Sequence, residues 1–372
     1  MQKRIVAISV SLIGLVAIEP PVSQAQVLVA QKSSSSPSSP YQRRQQLDKL
    51  LQEGRKLLDA GNFSGAISRY QQAAKFSPKN ARIFSTIGYL QVRQGNLSAA
   101  AAAYRQAIAL APNHADFHYA LGYCLGQLGD NVGAAAAYRR TTKLVGNHLN
   151  AYLGLGVVLF RQREYRGAME AYQKVLAIDP NNASAYEVMG AMLMQQGRAE
   201  DALKAIQKAA TLNPKNSDVF LSLANVWLNQ GNITAGLMSL RQASQLAPND
   251  VNIHLQMGAV LRRQNDFDGA LQAYRRALSL RANLVEAQEA IGDILLIKQD
   301  LMPAIVAYRR VVQLSPQNAK AYFNLGIALH RRRQDKEAIA AISRALELYK
   351  QQGVRDGVRR AEALLRELGQ LN

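Results

Sequence analysis

From Leu47 to Lys350 the same pattern of residue types returns every 34 positions, and this period constrains the chain more than any other feature. Gly54, Gly88, Gly122, Gly156, Gly190, Ala224, Gly258, Gly292 and Gly326 form one column. Ala66, Ala100, Ala134, Ala168, Ala202, Gly236, Ala270, Ala304 and Ala338 form a second. Nine copies stand in register with no insertion. A period of this length marks a supersecondary unit that stacks on its neighbours to bury a continuous core.

Each copy predicts two helices. In the copy from Ala81 to His114, Phe84, Ile87, Gly88 and Gln91 recur at helical spacing and share one face. Ala100, Tyr104 and Ala107 do the same in a second helix. Small residues at the crossing let two backbones approach, and an aromatic fills the wedge beside them. Tyr70, Tyr104, Tyr138, Tyr172, Tyr274 and Tyr308 hold that slot; Ile206, Leu240 and Ile342 replace it. Gly61, Gly95, Gly129, Gly197 and Gly231 stand at the turn between the helices, where a left-handed residue ends the first one. Asn265 substitutes there readily; Arg163, Gln299 and Arg333 do so at some strain or with an altered turn. Pro78, Pro112, Pro180, Pro214, Pro248 and Pro316 separate the copies, whereas Gly146, Ala282 and Lys350 break that rule.

This pattern resembles the tetratricopeptide repeat (TPR) family over about four-fifths of the chain. The resemblance implies an all-α solenoid, a right-handed superhelix of antiparallel helix pairs whose first helices line a concave groove. It implies less about function, because the family is defined by architecture. Two specialised relatives are excluded by their own signatures. The column of an asparagine ladder reads Thr86, Ala120, Gly154, Val188 and Ser222, and the lysine–asparagine pair of chaperone-tail clamps is absent at Leu51/Arg55, Ser85/Tyr89 and Tyr119/Tyr123.

Outside the repeats the chain changes character. Lys3 and Arg4 precede an apolar run from Ile5 to Ile18, and Ser23-Gln24-Ala25 offers small residues for cleavage, so residues 1–25 read as a secretory signal peptide. The run is shorter than the about 20 residues a spanning helix needs, with an uncleaved anchor as the alternative. An exported protein follows, periplasmic, lumenal or extracellular, or membrane-tethered if the signal stays. Residues 26–46, rich in serine and proline around Gln31–Arg44, read as a flexible linker. Residues 47–352 hold the nine repeats. In 353–372 the period fails, and Val354, Val358, Ala361, Leu365 and Leu368 form the apolar stripe of a capping helix.

Chemistry-bearing patterns are scarce. There is no phosphate-binding glycine loop, HExxH or G-x-S-x-G motif, and no cysteine pair. Cys124 falls where other copies have Leu90, Val158, Met192 and Val226, so it reads as a small buried hydrophobe. His118 and His254 occupy the bulky slot of Phe84, and His114 with His118 lacks a third metal ligand. No catalytic, cofactor or metal site is expected, and the chain reads as a non-enzyme.

Two surfaces carry the expectation of binding. Positions three before, one after and four after the glycine column lie together on the first helix, and the resemblance places them in the groove. They include Tyr89, Tyr119, Tyr123, Leu153, Val157, Phe160, Glu187, Met194, Leu221, Asn225 and Leu228, more apolar than a solvated surface requires. The second surface is basic. Arg105, Arg139, Arg140, Lys174, Lys208, Arg241, Arg275, Arg276, Arg309, Arg310 and Arg344 follow the tyrosine slot on the outer helices of a chain whose formal charge is +19. The primary reading is a cell-envelope scaffold that binds a protein or peptide segment in the groove. The alternative is an adaptor for anionic lipid head groups or acidic polysaccharide through the arginine stripe. Nucleic acid is disfavoured, since that face has no aromatic stacking platform.

Overall fold

A computed structural model describes residues 39–370. The expected signal peptide and the linker as far as residue 38 lie outside the described residues. The chain divides at Leu212/Asn213 into two units. Unit 1 contains α1 (Pro40–Asp59), α2 (Phe63–Phe76), α3 (Ala81–Arg93), α4 (Leu97–Leu110), α5 (Ala115–Gln127), α6 (Asn131–Leu144), α7 (Leu149–Arg161), α8 (Tyr165–Ile178), α9 (Ala183–Gln195) and α10 (Ala199–Leu212). Unit 2 contains α11 (Ser217–Asn229), α12 (Ile233–Leu246), α13 (Val251–Arg263), α14 (Phe267–Leu280), α15 (Val285–Ile297), α16 (Leu301–Leu314), α17 (Ala319–Arg331), α18 (Asp335–Gln351) and α19 (Arg355–Glu367). The described residues are all-α, with odd and even helices paired into hairpins as the period requires.

The columns explain the pairing. Ala100, Ala134, Ala168, Ala270, Ala304 and Ala338 are wholly buried, and the slot aromatics Tyr104, Tyr138, Tyr172 and Tyr308 are 5%, 2%, 0% and 0% exposed. Each tyrosine ring lies flat over the glycine of its own hairpin, so close that a methyl on Gly156 would sit 2.6 Å from Tyr172. Gly236 breaks the alanine column because Leu228 fills the space there, 2.6 Å from where a methyl would stand. In unit 1 the first helices α5 and α7 touch, and in unit 2 α15 and α17 do, while no two second helices meet comparably. The first helices therefore face the inner side of each unit.

Local caps set the boundaries. At the hairpin turns Gly61, Gly95, Gly129, Gly197 and Gly231 have φ of 73–83°. Arg163, Asn265, Gln299 and Arg333 take the same left-handed conformation at 60–63°. These four turns keep the glycine geometry rather than altering it, and Arg163, Gln299 and Arg333 bear the strain. Asn62 and Asn232 cap their helices by accepting from the Gly65 and Ala235 amides. The joints at Gly146 and Ala282 hold the usual gap between helices even without proline.

Three expected boundaries move. α1 begins at Pro40, inside the stretch read as linker, because Ser39 accepts from the Gln42 amide and Pro40 fits a first helical turn that has no amide to lose. α18 runs past the usual joint to Gln351, since Lys350 replaces the proline that would stop it. The capping helix begins at Arg355, with Ala361 and Leu365 buried and Arg360 4.8 Å above the Phe323 ring. Val354 is 41% exposed and stands at the cap, so Val358, Ala361, Leu364, Leu365 and Leu368 make the buried stripe.

Candidate functional site

The groove columns of unit 1 come to the inner, first-helix face. Tyr89, Tyr123, Leu153, Val157, Phe160, Glu187 and Met194 are half-buried there. Tyr123, Leu153 and Phe160 rest on one buried cluster that runs from Ala100 to Met192. The Phe160 ring meets Tyr165 edge-on at 5.7 Å. Tyr89 accepts from Arg93 at 2.8 Å, and that guanidinium also lies 5.0 Å over the Phe63 ring. Aromatic and aliphatic surface with polar tips can hold a chain segment by burial while directing its backbone.

Tyr119 departs from the expectation. It is 7% exposed, 4.8 Å from the His148 ring and 5.9 Å from the Tyr138 ring, so it packs across the joint to the next hairpin. Its hydroxyl is buried with no hydrogen-bond partner, and burial, with Tyr123 adding to it, pushes its pKa up to about 12. The same residue type three before the glycine column is therefore core in this hairpin. Leu221, Asn225 and Leu228 belong to unit 2 and are half-buried. Leu228 also packs over Gly236.

The same columns, followed further along the chain, place a polar network on the first-helix face of unit 2. Asp293 Oδ1 accepts from the Tyr308 hydroxyl at 2.8 Å and from Asn324 Nδ2 at 3.1 Å. Asp293 Oδ2 accepts from Lys320 at 2.9 Å, and Lys320 also reaches Glu289 at 2.7 Å. Asn318 donates to the second Glu289 oxygen at 3.1 Å. Burial, reinforced by Asp293, raises the Tyr308 pKa. Glu289 and Asp293 sit three before and one after Gly292, so extending the groove columns to this copy reveals both; their partnering requires α15, α16 and α17 together.

The basic stripe divides by what each cation touches. Arg140, Arg276 and Arg310 each donate to an asparagine at the preceding joint, Asn113, Asn249 and Asn283, at 2.6, 3.0 and 3.0 Å. Arg139 pairs with Glu164, Arg309 with Glu337 and Arg344 with Glu347. Arg105, Lys174, Lys208, Arg241 and Arg275 make no hydrogen bond or ion pair among the described residues. Over half of the stripe is thus engaged in bracing.

The remaining candidates fall to packing. Cys124 is fully buried, and burial pushes its thiol up to about 12. The His114 ring stacks on Phe117 at 3.9 Å. His118 and His254 donate from Nε2 to the carbonyls of Pro112 and Pro248, at 2.8 and 3.0 Å.

The model of the cilia and flagella-associated protein 70 C-terminal domain, a TPR module, matches residues 41–290. A TPR repeat model matches 292–332 and a tetratricopeptide repeat model 319–352. None of the curated proteins matches the chain. The C-terminal part of a TPR repeat-containing protein from Cytophaga hutchinsonii is 18% identical, with a TM-score of 0.57, covering 64% of this chain and 98% of that one. A tetratricopeptide repeat protein from Parabacteroides merdae is 16% identical, with a TM-score of 0.51, covering 68% and 99%. MamA is 28% identical over 44% of this chain and 95% of its own, with a TM-score of 0.43. The first two share the fold that the helical hairpins show. With family models covering the repeats from end to end, the chain belongs to the tetratricopeptide repeat family.

Proposed function

We propose that this interaction scaffold holds an extended protein segment against the first-helix face of unit 1, without catalysing a reaction. One observation carries the reading: Tyr123, Leu153, Val157 and Phe160 stay half-buried on a face that a purely structural array would make polar. Burying one such side chain against a partner contributes about 1.5–3 kcal/mol, so two or three suffice for specific binding. The pattern of residues 1–25 supports export, with the cell envelope as the place of action.

A second reading, an adaptor for anionic lipid or polysaccharide, rests on the five unengaged cations of the outer stripe. Salt separates the two. Peptides selected from a display library against the full chain should stay bound at about 1 M salt, where the screening length falls to about 3 Å. Binding to anionic vesicles through the stripe should vanish there. Loss of all selected peptides in high salt would end the groove reading.

A further inference from the structure

On the outer side of unit 1, away from the groove, α4, α5 and α6 border an open surface cavity of about 320 Å³. Ile108, Leu121, Ala136 and Ala137 make its apolar walls, and Arg105, Arg140 and His118 line it as well. None of the lining residues is acidic. Arg105 is exposed and has no partner among the described residues. Arg140 is anchored by Asn113 at 2.6 Å, and His118 by the Pro112 carbonyl at 2.8 Å. A carbonyl only accepts, so Nε2 of His118 carries the proton and the ring is fixed in place.

The constellation occurs twice. Arg241, His254 and Arg276 repeat Arg105, His118 and Arg140 four copies along, in unit 2. The anchoring repeats too: His254 donates to Pro248 at 3.0 Å and Arg276 to Asn249 at 3.0 Å, while Arg241 again has no partner among the described residues. The walls differ. Ala136 lines the cavity of unit 1, whereas in the second constellation Gln272 takes that position, Ser244 replaces Ile108 and Met257 replaces Leu121. The second copy thus keeps the charges and loses apolar wall. Structural bracing accounts for Arg140, Arg276 and the two histidines, but leaves Arg105 and Arg241 without a role.

We propose that the Arg105–His118–Arg140 cavity of unit 1 binds a carboxylate carried on a short aliphatic stem. The guanidiniums supply charge-assisted donors for the carboxylate, and Ile108, Leu121, Ala136 and Ala137 cover its hydrocarbon part. A bare, strongly hydrated anion gains nothing from those walls. The carboxylate belongs either to a free aliphatic acid or to the glutamate side chain of a partner. The proposal is independent of the groove, which lies on the other face.

Calorimetric titration of the full chain with sodium hexanoate, acetyl-glutamate amide, inorganic phosphate and hexylammonium tests it. Saturable binding of hexanoate or acetyl-glutamate amide is expected, and the tighter of the two identifies the source. Phosphate should bind at least about tenfold more weakly, and hexylammonium not at all. Arg105→Gln, which breaks no contact in the fold, should weaken binding about tenfold, and Ala136→Gln should do the same by filling the wall. Arg241→Gln should leave it unchanged. No saturable binding of either carboxylate, equal binding of phosphate, or indifference to both Arg105→Gln and Ala136→Gln would overturn the assignment. Melting curves of each variant confirm that the fold is retained.

Discussion

Removing one oxygen from the same slot in two hairpins should change stability in opposite directions. Tyr172 and Tyr308 occupy the aromatic slot of α8 and α16, and both rings are 0% exposed. The Tyr172 hydroxyl is buried with no hydrogen-bond partner. Such a group carries a desolvation cost of about 1–3 kcal/mol, so Tyr172→Phe should raise stability by up to that amount. The Tyr308 hydroxyl donates to Asp293 at 2.8 Å and accepts from Asn324 at 3.2 Å. A hydrogen bond to a charged group contributes about 1.5–3 kcal/mol, so Tyr308→Phe should lower stability by that much. Thermal melts of the full chain read the sign at about 2–4 °C per kcal/mol, and hydrogen exchange assigns it to α8 or α16. If Tyr172→Phe lowers the melting temperature as far as Tyr308→Phe does, the slot energetics reside in something other than the hydroxyl contacts.

Three further outcomes follow from the same geometry. Gly154→Ala would bring a methyl to 2.5 Å from the Tyr138 ring, so it should destabilise α6 and α7 by about 1–3 kcal/mol, measured by denaturant unfolding. Arg163→Gly, Gln299→Gly and Arg333→Gly should each raise the melting temperature, because a left-handed non-glycine residue costs about 1–2 kcal/mol. Burial raises the pKa of Tyr104, Tyr138, Tyr172 and Tyr308, so these phenols stay protonated in the fold at pH values where the unfolded chain ionises. Stability from them is complete below pH about 10 and should fall above it by about 1.4 kcal/mol per pH unit for each tyrosine. Denaturant midpoints between pH 9 and 11, about the tyrosine value, check the slope.

The hairpins could be read from the sequence because each slot is filled by residues of its own copy or of the next one. Gly88 requires Tyr104 above it wherever the copy sits. Surface roles are less local. Tyr119 and Tyr123 look equivalent in the columns, yet His148 at the next joint draws Tyr119 into the core. The outer arginines read as one stripe, but Asn113, Asn249 and Asn283, each 27 residues earlier, claim three of them. The start of α1 was hidden by serine-rich composition, although Ser39-Pro40 carries a cap signal of its own. The Asp293 network escaped because its members come from three helices, and a column records only one position at a time.

The groove reading is tested most directly by comparing Tyr123→Ala/Phe160→Ala with Tyr104→Ala in one binding and melting experiment on the full chain. Tyr123 and Phe160 are half-buried on the first-helix face, whereas Tyr104 is 5% exposed and covers Gly88. The double variant should weaken a selected peptide by at least about tenfold while its melting temperature falls less than that of Tyr104→Ala. A double variant that melts as low as Tyr104→Ala, or that binds the peptide as the unaltered chain does, would contradict it.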